Sequence, residues 1–315
     1  MHGAPPCDDV PPHTDLAVQV MDRYPQIGTP TLVPLHDLVH EVVAVESDAG
    51  RFALKLYRPG VRAESDVRWE AELARHLADH DLGVAAPIPG RHGLVERLDV
   101  AGRQRLAVLS EWVPGVKPAP SSTVYSLLGE TAALIHEVAD GYQPRRPRAD
   151  TDLETLVRAP VRVMRPLLDD TGAWPYVSAL AERLCRYVET SDLEWGVCHH
   201  DLTLDNVHLD GGRLRIFDFD SAGPGWRAIE GQGVYSSAAQ SGSEHWAAWK
   251  RGYRSVRTLR PEDEAAVPYF VLAYEIGNVA WKLGLTETSV GRLVSHTELT
   301  ATIESWRRWE RSHLS

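Results

Sequence analysis

The segment from Val197 to Asp220 concentrates the side chains able to do chemistry. His199, Asp201 and Asn206 form an H-x-D-x-x-x-x-N loop, a Gly211-Gly212 turn follows, and the apolar run from Leu214 to Phe217 delivers Asp218. That order of residue types suits magnesium-assisted transfer of a phosphoryl group. A hydroxyl nucleophile needs a carboxylate to orient it and accept its proton, which makes Asp201 the candidate catalytic base. Magnesium takes hard oxygen ligands and keeps phosphate oxygens in its shell, so Asn206 and Asp218 are the candidate metal ligands. His199 would brace the loop. Asp220 shares a strand face with Asp218, where it either touches a second metal or the acceptor, or caps the following turn. His200 and His208 read as neutral loop histidines, and His136 as a structural contact near a helix C-terminus.

The same chemistry needs a cation on the nucleotide phosphates and a carboxylate to hold that cation in place. Lys55, in the apolar strand Phe52 to Tyr57, is the candidate cation. Glu70 on the following helix is its expected partner, with Glu72 the alternative because sequence alone does not fix helix rotation. The connector from Ser110 would then present backbone groups of Glu111, Trp112 and Val113 to the adenine.

The elements that must position these residues follow from periodicity. Glu41 to Val45 and Arg51 to Tyr57 flank the turn Ser47 to Gly50 and predict a β-hairpin. Ser65 to Asp79 shows helical spacing and ends at Gly83, ahead of Pro87 and Pro89. Gly93 to Arg97 and Arg105 to Leu109 predict a further strand pair, and the stretch Trp112 to Pro118 breaks all periodicity. Helices are predicted from Ser121 to Ala139, Asp152 to Leu168, Pro175 to Thr190, Glu244 to Ser255, Glu262 to Leu283 and Leu293 to Ser312. Three parts result: an N-terminal extension (1–15), a nucleotide-binding lobe (16–112), and a lobe with the catalytic loop and acceptor site (113–315). Trp246, Trp249, Trp306 and Trp309 fall at helical spacing and read as core, whereas Trp174 and Trp226, beside Pro and Gly, are candidates to line an acceptor pocket.

The 315 residues have ordinary globular composition, 43% hydrophobic and 24% charged. A net charge of −11 argues against nucleic acid or an anionic membrane surface as partner. Three scattered cysteines argue against a disulfide framework or a zinc cluster and favour a cytoplasmic setting. The start of the chain lacks the pattern of a signal peptide, and no apolar run is long enough to span a membrane.

The sequence resembles the aminoglycoside phosphotransferase and choline kinase-like group of the protein-kinase-like fold. The residues that carry the likeness are the Lys55 strand, the Glu70 helix running into Gly83 and Pro87, Leu128-Gly129 to His136, His199 to Asn206, and Asp218 to Gly223. The segment from Asp218 through Gly225 to Glu230 looks especially like a branch holding homoserine kinase-like antibiotic kinases and a bacterial stress-response protein kinase. The resemblance implies an α+β, bilobal protein-kinase-like fold with a small β-rich N-lobe and a larger helical C-lobe, with the nucleotide bound between them. It implies ATP, with GTP as the alternative, and Mg2+ as cofactors, with Asp201 as base, Asn206 and Asp218 on the metal and Lys55 on the phosphates. The acceptor it implies is a small-molecule hydroxyl taken by a monomer or homodimer, its site built from the helical insert Thr151 to Thr190. A cationic antibiotic, either an aminoglycoside or a basic peptide, fits the negative charge. The alternatives are a Ser/Thr protein kinase of stress-response type, a choline or homoserine-type metabolic kinase, and a catalytically dead nucleotide-binding module. One departure stands out, since the family usually has glycine where this chain has His200, a bulkier residue expected beside the reacting hydroxyl.

Overall fold

A computed structural model describes residues 14–284 and 295–314. The extension 1–15 expected from the sequence therefore lies almost wholly outside the described residues, as does Cys7. By internal contacts the chain divides into Met1–Glu72 with Ala86–Trp112, and Leu73–Ala85 with Val113–Ser315.

The first unit is built on a five-stranded antiparallel sheet in the order β1-β2-β3-β5-β4. Its strands are β1 (Thr31–Asp37), β2 (Glu41–Ser47), β3 (Gly50–Leu56), β4 (Glu96–Val100) and β5 (Arg103–Glu111). Alternation decides which face is buried: Val43, Val45, Leu54, Leu56 and Leu109 point to one side and close a core with Leu16, Val20 and Tyr24. Those last residues bring in α1 (Thr14–Arg23), a helix the sequence reading missed. Its inward stripe rests on little more than Leu16 and Val20, while Val18 is exposed, so the periodic signal is faint. Helix α2 (Glu64–Asp79) follows β3, and the division between units passes through it.

The second unit is mostly helical. It contains α3 (Ser122–Ala139), α4 (Ala159–Asp170), α5 (Trp174–Thr190), α6 (Gln232–Ser241), α7 (His245–Arg254), α8 (Pro261–Gly284) and α9 (His296–His313). Ser121 caps α3 by accepting from the Val124 N–H at 3.3 Å. Helices α3 and α7 approach so closely that a Cβ on Gly129 would lie 2.0 Å from the Trp249 carbonyl, and only glycine fits there. The predicted helix Asp152 to Leu168 begins as a π-helical turn, Glu154–Arg158, and α6, with three serines and a glycine in ten residues, had too little helical propensity to be read. Trp249, Trp306 and Trp309 are buried, as their spacing predicts. Trp174 and Trp226, both half-buried, pack against this same core, with Trp226 edge-on to Trp195.

Two short ribbons interrupt the helices. Strand β6 (Trp195–Cys198) pairs with β9 (Gly223–Trp226), and β7 (Val207–Asp210) pairs with β8 (Arg213–Ile216). The two loops joining these ribbons are 199–206 and 217–222, so the pairing of the strands sets the candidate catalytic residues side by side. Among the described residues no helix is long and apolar enough to cross a membrane.

Candidate active site

In the second unit, Asp201 is held from several directions. The Asn206 Nδ2 donates to the Asp201 carbonyl at 2.9 Å and to its Oδ2 at 2.8 Å. The His199 Nδ1 accepts from the Asp201 N–H at 3.3 Å, and its fully buried ring lies 4.5 Å from Phe219, so His199 does brace the loop. The Tyr274 hydroxyl, from α8, lies 3.5 Å from Asp201 Oδ1. Phe217 donates its N–H to the Asn206 carbonyl at 3.1 Å, which ties the Asp218 segment to the loop. Asp218 itself has a left-handed φ of 65°, a conformation that costs a non-glycine residue roughly 1–2 kcal/mol and persists where surroundings enforce it.

Burial raises the Asp201 carboxyl to about 6, and the negative charges of Asp218 and Asp220 push the same way, against the Asn206 and Tyr274 hydrogen bonds. Behind the loop, burial lifts Glu230 to about 7 although the backbone N–H groups of His200 and His199 favour its charged form. Sequence reasoning gave Glu230, Tyr274 and Thr151 no role; Glu230 sits 29 residues after Asp201 in a turn whose partners only the fold reveals. Burial also lowers His199 and His200 to about 4, so both rings are neutral at physiological pH. His200 is buried, its Nδ1 lies 3.0 Å from the Ser221 carbonyl, and it lines a small cavity together with Asp201. His136 is likewise buried, 2.9 Å from the Tyr253 hydroxyl, and His208 lies 3.3 Å from the Val113 carbonyl. A cavity of about 140 Å3 beside the loop is lined by Tyr125, Leu128, Asp201, Leu202, Glu230 and Val234. It is well below the roughly 300–1,000 Å3 of pockets that enclose a ligand of nucleotide size.

The donor set suits a hard divalent cation. Asn206 spends its amide N–H on Asp201, so its carboxamide oxygen could serve, with the Asp218 carboxylate, as a hard oxygen ligand.

In the first unit, Lys55 sits mid-strand in β3, opposite Val42 on one side and Val108 on the other. Its Nζ lies 3.3 Å from Glu70 Oε1, with both side chains largely buried, and 5.0 Å from the Tyr57 ring. Of the two carboxylates weighed for Lys55, Glu70 is therefore within salt-bridge distance, and Glu72 lies half-buried on the same helix. Glu111 ends β5 and donates its N–H to the Ala86 carbonyl at 2.9 Å. The Trp112 ring carries the Arg51 guanidinium 3.6 Å from its centre.

Comparisons with known proteins agree with this architecture. Residues 11–264 match the phosphotransferase enzyme family. A Deinococcus radiodurans protein is 33% identical over 283 residues, covering 86% of this chain and 81% of its own. A homoserine kinase of Gluconobacter oxydans is 27% identical, covering 81% and 84% respectively. The structure of an amicoumacin kinase in complex with AMP-PNP, Ca2+ and amicoumacin superposes with a TM-score of 0.72 at 20% identity, covering 94% of this chain and 92% of that one. The extent of the family match, more than half the sequence, together with the relative at 33% identity, places the chain in the phosphotransferase enzyme family, as a small-molecule phosphotransferase of protein-kinase-like fold.

Proposed function

We propose that the protein transfers the γ-phosphate of ATP to a hydroxyl of a small cationic molecule, an amino alcohol or a basic antibiotic. The observation that carries this reading is the Asn206 clamp on Asp201: one amide fixes the carboxylate and frees its own oxygen for a metal. Asp201 accepts the hydrogen bond of the attacking hydroxyl and takes its proton as the new P–O bond forms, and a carboxyl near 6 is ionised for that task at neutral pH. Asn206 and Asp218 would hold Mg2+, which when bound neutralises charge developing on the phosphates. Lys55, oriented by Glu70, would carry the nucleotide phosphates, and the backbone of Glu111, Trp112 and Val113 the adenine. Phosphate transfer of this kind depends mainly on positioning and electrostatics, which is what these contacts supply.

The acceptor class rests on charge and on kinship. Asp201, Asp218 and Asp220 gather carboxylates on one side of the loop, where an ammonium on the acceptor is favoured, and homoserine itself carries an ammonium beside its hydroxyl chain. To test the reading, purified protein is incubated with Mg2+, ATP and a panel of hydroxylated amines, homoserine, aminoglycosides and basic peptide antibiotics, and products are read by mass spectrometry. A phosphate adduct on one compound, absent with Asp201→Asn, is the expected result. Phosphate on the protein with none on any compound would replace this reading with a protein kinase.

A further inference from the structure

His200 stands where the family usually has glycine, and the structure shows both why glycine suits the position and what the imidazole does there. The backbone of His200 is left-handed, with φ 65°, and its N–H donates to Glu230 Oε1 at 2.6 Å. The side chain is 6% exposed. Its Nδ1 lies 3.0 Å from the Ser221 carbonyl, so that nitrogen carries the proton, and 3.2 Å from the Thr151 hydroxyl. Ser221 follows Asp220 in the turn that carries Asp218, and Thr151 is fastened to β9 by its N–H to the Pro224 carbonyl at 2.7 Å. The other edge of the ring faces Gly225. A Cβ on Gly225 would lie 2.5 Å from His200 Nε2 and 3.0 Å from Cε1. Gly225 is not in the left-handed region, so what glycine provides there is room for the ring rather than backbone freedom.

We infer that His200 is a positioning residue for phosphate transfer: its imidazole, seated in a socket made by Gly225 and Thr151, ties the Asp201 loop to the Asp218 turn. One feature separates this from simple packing: a side chain kept only for volume would not aim its one proton at the carbonyl of the turn that bears the candidate metal ligand. Because the ring is neutral and acts through the loop, it holds geometry and takes no proton in the reaction.

The inference rests on the proposed function for its kinetic readout, so the test pairs kinetics with a measurement that assumes no reaction. Four proteins are compared: wild type, His200→Gly, Gly225→Ala and the double variant. His200→Gly suits the left-handed backbone and removes only the tether, and Gly225→Ala dislodges the ring while leaving His200 in the sequence. Each single variant is expected to lower kcat about ten- to hundredfold with the KM for ATP changed less than about twofold. The double variant is expected to be no slower than His200→Gly, because the added methyl group then meets nothing nearer than the Thr151 Cβ, at an ordinary 3.4 Å. Melting temperatures should show the same coupling, with Gly225→Ala lowering the wild type but not the His200→Gly protein. Additive melting losses, or full kcat in His200→Gly, would overturn the inference. A wild type inactive on every acceptor but showing coupled melting temperatures would overturn the proposed function and leave the socket standing.

Discussion

The two units hold charge in opposite ways. In the first, Lys55 and Glu70 sit 3.3 Å apart, a cation and an anion that satisfy each other in a largely buried setting. In the second, Asp201, Asp218 and Asp220 are like charges whose repulsion, added to burial, raises Asp201 to about 6. The first site is neutral as built, while the second is a concentration of negative charge that a bound cation relieves. One unit is thus prepared to present a positioned cation, and the other to receive one.

The strongest way to break this contrast is to remove the charge that accepts the proton. Asp201→Asn is expected to lower kcat about a thousandfold, within the roughly 10²–10⁴ range of lost general-base catalysis, with Mg2+-dependent binding of AMP-PNP measured by calorimetry kept near wild type. Asp218→Ala should instead weaken that Mg2+-dependent binding itself, and chelation of the metal should abolish transfer in the wild type.

On the other unit, Lys55→Met should raise the KM for ATP about 10- to 100-fold, which corresponds to a charge-assisted contact of about 1.5–3 kcal/mol. Glu70→Gln should act in the same direction and less, because it loosens the cation without removing it. Equal losses in the two variants would mean that the pair, not the lysine, is the functional unit.

A smaller effect sharpens the electrostatic side. The folded-state pKa of Glu230, about 7, lies above the ordinary value of 4.5, so its protonation stabilises the fold at low pH and that contribution is lost as pH rises through about 7. Thermal melts should therefore show a smaller loss of stability between pH 5 and 8 in Glu230→Gln than in wild type.

Much of the architecture was legible because it is written in local periodicity. The β2–β3 hairpin, α2 and α3 each carry an alternating or 3.6-residue apolar pattern, and His199, Asp201, Asn206 and Asp218 fall within one short stretch. What was not legible depends on contacts distant in sequence. Tyr274 reaches Asp201 from 73 residues away and Thr151 reaches His200 from 49, and neither carries a local signal. Trp226 likewise gave no local sign of its neighbour: the β6–β9 pairing sets it against Trp195, 31 residues earlier. The contacts of His200 were hidden for the same reason, since Ser221 and Thr151 lie 21 and 49 residues from it.

The most direct test of the central claim, that Asp201 is a base held high by burial and by neighbouring carboxylates, is the pH dependence of kcat for wild type and Asp220→Asn. Rate should be level above about pH 7 and fall with one acid limb at or below about 6, since the carboxylate must be ionised to take the proton. In Asp220→Asn, one source of repulsion is gone and that limb should move to lower pH. A limb that stays in place in Asp220→Asn, or a rate that rises as the pH falls below 6, would contradict the account.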